Sequence, residues 1–436
     1  MRTLTLGLLG AGLLLLPIAV VSSQPGAPVL QEATPAPVVE VLQDREDGMY
    51  HVGEQAGFAV RLLAGDQPQA GTVSYTLTND GVQPPLAGGE IAVGAEPGVI
   101  TGTLEAPGIL RCTAWVIAGG QRYQGLAGAA FDPERIQPTA VAPDDFDEYW
   151  GAQKALLAAV PLDARLEQRE AEGVGGLFKV SLANIEGKRV HGWLAVPAGG
   201  GPAPGLMIFS AAGVSGIGPE GAIDGAGRGF VTMHMIHHDF DVELPKEEAD
   251  LLKAGALNGY QLLGRESRDT YYFRAVFLGC VRAIDLVTSR PEWDGEHLIC
   301  TGSSQGGGLS LCIAGLDPRV TALAANVPAL CDHTGLQQGR ASGWPRLIPA
   351  DDPFGVVATQ VAPYFDAVNF ARRFTGASWV TAGLVDSTCP ATSVYSAYNV
   401  LPQPKRMIAY PRMGHAIPPE YSTDRWKFIM EQAGLN

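Results

Sequence analysis

The sequence has 436 residues, of which 46% are hydrophobic and 17% charged, and this composition excludes an intrinsically disordered chain. Its formal net charge of −15 argues against a nucleic-acid partner and against stable association with an anionic membrane, because either partner would repel it. The 55 glycines and 32 prolines exceed average usage and indicate many turns between short elements.

Residues 1–23 have the layout of a secretory signal peptide. A basic Arg2 precedes an apolar run over residues 4–21, and small residues follow. The run approaches the length of a membrane span, so an uncleaved anchor is the alternative, although Pro17 favours cleavage. We therefore expect a secreted or periplasmic protein, in which residues 24–36, rich in Pro and Ala, form a linker.

Residues 37–138 are predicted to form a small all-β sandwich of the immunoglobulin-like kind. Apolar residues alternate in short segments, such as those around Phe58 and Val73, and Gly, Pro or an Asn-Asp-Gly turn closes each segment. Cys112 shares the phase of its apolar neighbours and is expected to face a core. This region holds no cluster of catalytic residue types, so we expect it to have a structural role, in packing, oligomer contact or substrate approach.

Residues 139–436 are predicted to form an α/β domain with a mostly parallel sheet. The segment PDDFDEYWGAQKALLAAV begins with a proline and acids, which suit a helix N-terminus. Continuous apolar strand-like segments then alternate with helix-like ones, as in a parallel sheet covered on both faces. Cys280 and Cys312 fall in helix-like segments and Cys300 in a strand-like one, so we expect buried free thiols.

A serine lies between a predicted strand and a predicted helix in the stretch LICTGSSQGGGLSL. Residues 302–306 match the pattern G-x-S-x-G with Ser304 at its centre. This pattern is typical of a sharp strand-to-helix turn that holds a nucleophilic serine above the sheet and tolerates only small neighbours. The turn would also direct the backbone N–H of Gln305 toward a developing oxyanion. A serine-capped turn without chemistry is the alternative.

A nucleophilic serine needs a base, and the base needs an acid that orients it. In α/β-hydrolases the three follow in the order serine, acid, histidine, each at the carboxyl end of a strand. His415 comes shortly after the strand-like KRMIAY and is predicted to be the base. Asp386 ends the apolar segment SWVTAGLVD and is predicted to be the acid.

Other candidates for these roles are weaker. We expect His333 on the surface, with a place in the pocket as the alternative, and we expect Asp317 and Asp366 to be solvated. The second oxyanion donor should come from the loop after an earlier strand, and in PGLMIFSAAGVSG we select the backbone N–H of Ala212, although a plain turn is the alternative.

Histidines and acids also cluster in MHMIHHDFD, and these residue types can bind metal ions. His234 lies within an apolar strand pattern, and the others follow where a pocket-lining loop would be. A serine triad needs no metal, and we expect neither a metal nor a cofactor.

Five motifs follow in order between about residue 143 and the end of the chain: DFDEYW, YYFRAVFLGCVRAIDLV, TGSSQGGGLSL, APYFDAVNFARR and GLVDSTCPATSVYSAYN. They carry a resemblance to the acetyl xylan esterase and cephalosporin-C deacetylase family of carbohydrate esterases. It implies an α/β-hydrolase that removes acetyl or other short acyl groups from carbohydrates, such as acetylated xylan or xylooligosaccharides, through an acyl-enzyme. By matching position it makes Ser304 the nucleophile, Asp386 the acid and His415 the base, with the backbone amides of Gln305 and Ala212 as the oxyanion hole.

The sequence departs from the family pattern in three places. His237-His238-Asp239 stands where the family has Arg-Gly-Gln, Ala416 follows the histidine in place of Glu, and Ala212 replaces the oxyanion tyrosine. These departures leave open the alcohol part of the substrate and the family's ring-shaped homo-oligomer.

Two other functions are alternatives. One is a serine peptidase of the prolyl-oligopeptidase type, although the N-terminal region is too short for several propeller blades. The other is a catalytically inactive carbohydrate-binding protein that retains the fold.

Overall fold

The computed structural model describes residues 35–435. The predicted signal peptide and all but the last two residues of the predicted linker therefore lie outside the described residues. The chain from Pro37 onward forms one compact unit, and the predicted domain boundary after residue 138 stays a prediction. Across residues 35–435, no helix has the length and apolar character needed to cross a membrane. We call residues 37–131 the β region and residues 146–435 the α/β region.

The β region consists of strands arranged in two sheets. The strands are β1 (Pro37–Gln43), β2 (Met49–Tyr50), β3 (Ala56–Ala64), β4 (Gln67–Pro68), β5 (Gly71–Asn79), β6 (Ala87–Val93), β7 (Gly98–Gly102), β8 (Gly108–Ala118) and β9 (Gln121–Phe131). Strands β1, β3, β4 and β7 form one sheet, and β2, β9, β8, β5 and β6 form the other.

Apolar side chains from both of these sheets form one buried cluster. Phe58 on β3, Val73 on β5 and Phe131 on β9 all belong to it. The period-two pattern of the sequence produces this cluster because alternate side chains of a strand point to the same face. Cys112 is fully buried within it, as predicted. The immunoglobulin-like character of the region stays a prediction.

The α/β region alternates strands with helices. Its strands are β10 (Arg165–Arg169), β11 (Val174–Ala183), β12 (Arg189–Pro197), β13 (Ala203–Phe209), β14 (Val231–Ile236), β15 (Trp293–Ser303), β16 (Ala322–Asn326), β17 (Ala377–Gly383) and β18 (Lys405–Tyr410). Its helices are α1 (Phe146–Ala158), α2 (Glu220–Gly227), α3 (Lys246–Ala254), α4 (Tyr272–Thr288), α5 (Gln305–Leu316), α6 (Ala367–Ala371), α7 (Ala391–Asn399) and α8 (Tyr421–Gln432).

These strands form one sheet in the order β10-β11-β12-β14-β13-β15-β16-β17-β18. The pairings from β14–β13 to β17–β18 are parallel, and the three at the β10 edge are antiparallel. The prediction of a mostly parallel sheet is therefore confirmed, with an antiparallel edge added. Because β13, β15, β16, β17 and β18 run the same way, the loops after them meet at one edge of the sheet.

Helices cover both faces of this sheet. Leu206 and Met207 are neighbours on β13 but belong to different buried clusters, one containing α8 and the other containing α4 and α5. Strands buried on both faces need continuous apolar sequence, which is the pattern that predicted them. All six cysteines are buried and free, as predicted.

Candidate active site

Ser304 lies at a strained turn between β15 and α5. Its φ of 57° and ψ of −119° belong to a conformation that residues other than glycine rarely adopt. The backbone of Ser304 is held on both sides. Its N–H donates to the carbonyl of Asn326 at 2.9 Å, and its own carbonyl accepts from Gly308 and Ala329 at 2.9 Å each. This is the sharp strand-to-helix turn that the sequence pattern predicts.

The glycines around Ser304 are required because backbone segments approach them closely. A Cβ atom on Gly306 would lie 2.1 Å from the carbonyl oxygen of Phe209, and one on Gly308 would lie 2.4 Å from that of Ala329. Backbone atoms cannot rotate away as a flexible side chain can. The glycines therefore allow α5 to begin directly against the loops that follow β13 and β16.

The structure brings together the three side chains that the sequence nominated. Ser304 Oγ lies 2.8 Å from Nε2 of His415, and Nδ1 of His415 lies 2.7 Å from Oδ2 of Asp386. The side chain of His415 is 27% exposed, whereas that of Asp386 is fully buried. His415 therefore reaches solvent, while Asp386 is buried behind it.

Hydrogen bonds to Asp386 determine how the imidazole is protonated. Oδ1 of Asp386 accepts the backbone N–H groups of Thr388 and Cys389, at 2.7 and 2.9 Å, and Oδ2 faces His415. An ionised carboxylate only accepts hydrogen bonds, so Nδ1 of His415 carries the proton. Nε2 is then free to accept the hydroxyl proton of Ser304.

Cys389 is a further group at this site, and sequence reasoning did not identify it. Its side chain is 2% exposed. Its Sγ, a carboxylate oxygen of Asp386 and a ring nitrogen of His415 all lie within 4.8 Å of one another. Burial, followed by the charge of Asp386, raises the pKa of this thiol. It is therefore a neutral thiol beside the acid and the histidine. Its position three residues after Asp386 was the available signal.

His238, which follows β14, holds the loop after β13 through a hydrogen bond. Nε2 of His238 lies 2.9 Å from the carbonyl oxygen of Gly213, and Nδ1 lies 2.6 Å from the hydroxyl of Tyr272. A carbonyl only accepts, so Nε2 carries the proton and Nδ1 accepts from the tyrosine. Burial lowers the pKa of His238 to about 4, which keeps this histidine neutral near pH 7.

The backbone amides predicted to form the oxyanion hole lie on two segments that Tyr260 connects through hydrogen bonds. The hydroxyl of Tyr260 donates to Oε1 of Gln305 at 2.7 Å and accepts the backbone N–H of Gly213 at 3.3 Å. Ala212 precedes Gly213 and is exposed. Tyr260 thus ties the start of α5 to the loop after β13. The roles of the Gln305 and Ala212 amides stay predictions.

Expectations about three other polar residues are wrong. His333 is 3% exposed, and Asp317 and Asp366 are 3% and 1% exposed, so none of them is solvated. Asp366 accepts three backbone N–H groups, at the start of α6 and in the segment after β16. Asp317 pairs with Arg319. Short acidic side chains can be buried in turns when they bind backbone donors in this way.

The sheet, the serine at the turn after β15, and the acid and histidine after β17 and β18 together define an α/β-hydrolase. Solved structures support this fold assignment. An acetyl xylan esterase from a Paenibacillus species superposes with a TM-score of 0.61 and 26% identity, covering 69% of this chain and 98% of its own. Acetyl xylan esterase 1 from a Thermoanaerobacterium species gives a TM-score of 0.61 at 24% identity, over 69% of this chain and 97% of its own.

The chain belongs to the acetyl xylan esterase (AXE1) family, whose model matches residues 134–432. The acetyl esterase Axe7A of Xylanibacter ruminicola is 34% identical over 376 residues, which are 85% of this chain and 84% of that protein. The resemblance noted from the sequence is therefore confirmed. Membership in this family identifies the chain as a hydrolase that acts on esters.

The β region lies outside the family model, which begins at residue 134. The similarity to Axe7A extends further, because 85% of this chain is more than the part that begins at residue 134. At least part of the β region therefore has a counterpart in that relative.

Proposed function

We propose that the protein is a secreted serine esterase that removes acetyl and other short acyl groups from carbohydrates, such as acetylated xylan or xylooligosaccharides. Family membership and the similarity to an acetyl esterase support this proposal. The observation that carries it is the hydrogen-bonded series from Ser304 through His415 to Asp386, with distances of 2.8 and 2.7 Å.

In the first half of the reaction, Ser304 attacks the carbonyl carbon of the acetyl ester. Nε2 of His415 takes the hydroxyl proton as the new C–O bond forms. Asp386 keeps the proton on Nδ1 and stabilises the imidazolium that results. His415 then gives its Nε2 proton to the sugar oxygen, which leaves as an alcohol, and the acetyl group remains on Ser304.

In the second half, water releases the acetyl group. His415 removes a proton from water, the resulting hydroxide attacks the acyl-enzyme, and acetate leaves as Ser304 recovers its proton. The side chain of His415, 27% exposed, is accessible to this water.

Both steps place negative charge on the carbonyl oxygen of the ester. The backbone N–H of Gln305, the first residue of α5, and that of Ala212 are the proposed donors to this oxyanion. Two aligned donors are worth several kcal/mol of barrier in enzymes of this type, at about 3 kcal/mol for one donor. The hydrogen bonds of Tyr260 to Gln305 and Gly213 support this role, because they hold both segments in place.

The chain offers a matched pair of variants to test the nucleophile. Ser303 is the neighbour of Ser304, and its hydroxyl accepts from Nδ2 of Asn326 at 3.1 Å rather than bonding to His415. We expect Ser304→Ala to abolish hydrolysis of p-nitrophenyl acetate and Ser303→Ala to stay within a few-fold of the wild type. Equal activity of the wild type and Ser304→Ala would refute the proposal.

The same preparations separate the alternatives. Faster cleavage of a prolyl peptide anilide than of the acetyl ester would favour the peptidase. Binding of xylooligosaccharides without any serine-dependent turnover would favour the inactive binding protein. Release of acetate from acetylated xylooligosaccharides, acetylated monosaccharides and a cephalosporin, measured side by side, would identify the alcohol part of the substrate.

Two further parts of the proposal concern the ends and the division of the chain. We propose cleavage after residue 23, a linker over residues 24–36, and two domains over residues 37–138 and 139–436. Mass spectrometry of protein exported from its host would give the mature N-terminus. Limited proteolysis of that protein would test the division, because a flexible link near residue 138 would be cut first.

A further inference from the structure

A buried ion pair of the β region contacts the loop that carries the predicted catalytic acid. Arg111 on β8 and Asp80 in the turn after β5 have side chains only 6% and 1% exposed. Nη2 of Arg111 donates to Oδ1 of Asp80 at 2.7 Å and to the backbone carbonyl of Asp386 at 2.9 Å. One guanidinium nitrogen therefore joins the β region to the backbone of the acid itself.

The other oxygen of Asp80 binds the helix that follows this loop, α7; we call the loop itself the acid loop (residues 384–390). Oδ2 of Asp80 accepts from the backbone N–H and the hydroxyl of Thr392, at 2.9 and 2.7 Å. Thr392 lies in the first turn of α7, and the residue that precedes this helix, Pro390, offers no side-chain cap. Asp80 therefore supplies the missing cap from another region of the chain.

The β region also contacts the segment before the predicted base, which we call the base loop (residues 411–415). The backbone N–H of Gly128 on β9 donates to the carbonyl of Pro411 at 2.7 Å. A Cβ on Gly128 would lie 2.5 Å from Cβ of Leu384, so this strand touches the acid loop as well.

The acid loop and the base loop are in turn bonded to each other. Val385 donates to the carbonyl of Met413 in the base loop at 3.2 Å, and Leu384 donates to that of Tyr410, the last residue of β18, at 3.0 Å. The backbone contacts of the β region thus fall on two loops that are hydrogen-bonded to each other.

We propose that Arg111 and Asp80 are positioning residues that hold the acid loop so that Oδ2 of Asp386 faces His415. This inference rests on the proposed function. A buried ion pair is weak evidence for stability alone, because removing two charges from water costs about as much as their attraction returns. Here the other hydrogen bonds of the pair go to the backbone of Asp386 and to Thr392 of α7. Arg111 acts through that backbone and does not touch the reacting atoms.

The test removes both charges together, so that no lone buried charge remains. In the double variant Asp80→Asn/Arg111→Met, the asparagine keeps an acceptor for Thr392, while the methionine removes the donor to Asp386. The matched control is Arg61→Met, also in the β region, because Arg61 forms an exposed pair with Glu40. We expect both proteins to fold, and circular dichroism and thermal unfolding would verify this. Arg111→Lys, which keeps the cation beside Asp80 on a shorter side chain, is the second variant if the double variant does not fold.

For the double variant we expect kcat on p-nitrophenyl acetate to fall by about 10- to 100-fold, with KM changed by less than about twofold. A misplacement of about 1 Å commonly costs about 100-fold in rate. In an Asp386→Asn background the same two substitutions should change kcat by less than about twofold, because residues that act through Asp386 lose their effect when it is disabled. If the role of the pair were merely structural, the two substitutions would lower kcat by the same factor in the wild-type and the Asp386→Asn backgrounds, and that result would overturn the proposal.

A spectroscopic measurement separates this proposal from the proposed function. The proton on Nδ1 of His415 should give a strongly downfield NMR signal that persists in Ser304→Ala and is lost in Asp386→Asn. We expect the signal to shift or broaden in Asp80→Asn/Arg111→Met and to be unchanged in Arg61→Met. An unchanged signal in the folded double variant would overturn the positioning role. Absence of esterase activity in the wild type would count against the proposed function alone.

Discussion

Asp386→Asn should disable the site by reversing the tautomer of His415. In the wild type, Oδ1 of Asp386 accepts two backbone N–H groups, and Oδ2 accepts from Nδ1 of His415. The carbonyl of an asparagine would keep the two backbone donors, so its NH2 group would face Nδ1. Two donors cannot share a hydrogen bond, and the imidazole would move its proton to Nε2. Nε2 would then face Ser304 as a donor and could not accept the serine proton.

The expected loss of activity in Asp386→Asn follows from this geometry. The carboxylate of Asp386 is fully buried behind His415, so we expect substrate binding to be unaffected and the loss to fall on kcat. Replacing the acid of a serine triad by its amide lowers kcat by about 10,000-fold. That factor corresponds to about 5 kcal/mol of activation free energy, at about 1.4 kcal/mol for each tenfold change in rate.

The assay is the initial rate of p-nitrophenyl acetate hydrolysis across neutral and alkaline pH. Asp317→Asn is the matched control, because Asp317 is also buried but pairs with Arg319 rather than with the triad. The control should retain kcat within a few-fold. The reasoning about the tautomer would be refuted if Asp386→Asn kept more than a tenth of the wild-type kcat, or if its deficit appeared in KM.

Three other outcomes are expected. Gly306→Ala should lower Tm and abolish esterase activity, because its Cβ would lie 2.1 Å from the carbonyl oxygen of Phe209; an active variant with the wild-type Tm would contradict this. Tyr260→Phe leaves Oε1 of Gln305 without its donor, so urea titration should show a free energy of unfolding lower by about 1–3 kcal/mol. The kcat of this variant should also fall. If neither value changed, Tyr260 would not connect the start of α5 to the loop after β13 in the way described. Burial lowers the pKa of His234, His238 and His333 to about 4 from the ordinary value of 6.5. The unfolded chain therefore binds more protons than the folded one between about pH 4 and 6.5, and stability falls as pH falls through that window. The urea midpoint should be lower at pH 5 than at pH 7, and equal midpoints would count against neutral buried histidines.

Local sequence patterns were sufficient to predict the central features of the α/β region. The turn at Ser304 has a short-range signature, because its glycines and its flanking apolar runs lie within about fifteen residues. Asp386 and His415 were found because an apolar strand precedes each of them. The order of serine, acid and histidine then made their meeting at one sheet edge predictable.

Contacts between distant parts of the chain were not predictable in this way. Arg111 and Asp386 are 275 residues apart, and nothing in the alternating pattern of β8 distinguishes an arginine that meets a loop from one that meets solvent. The β region was therefore expected to have a structural role, in packing, oligomer contact or substrate approach. The burial of His333 and Asp366 was missed for a related reason. A polar residue in a turn is solvated unless another segment packs over it. Local sequence does not predict which distant segments pack together.

The contacts of the β region limit how this chain can be recombined with its relatives. The β region cannot be exchanged on its own between relatives, because its residues bond to the α/β region: Asp80 to Thr392, Arg111 to Asp386 and Gly128 to Pro411. A chimaera joined near residue 138 would need both partners of each of these bonds to come from the same parent. If the parents match only in the turn around Ser304, we expect hybrids that keep the proposed nucleophile but place the proposed acid poorly.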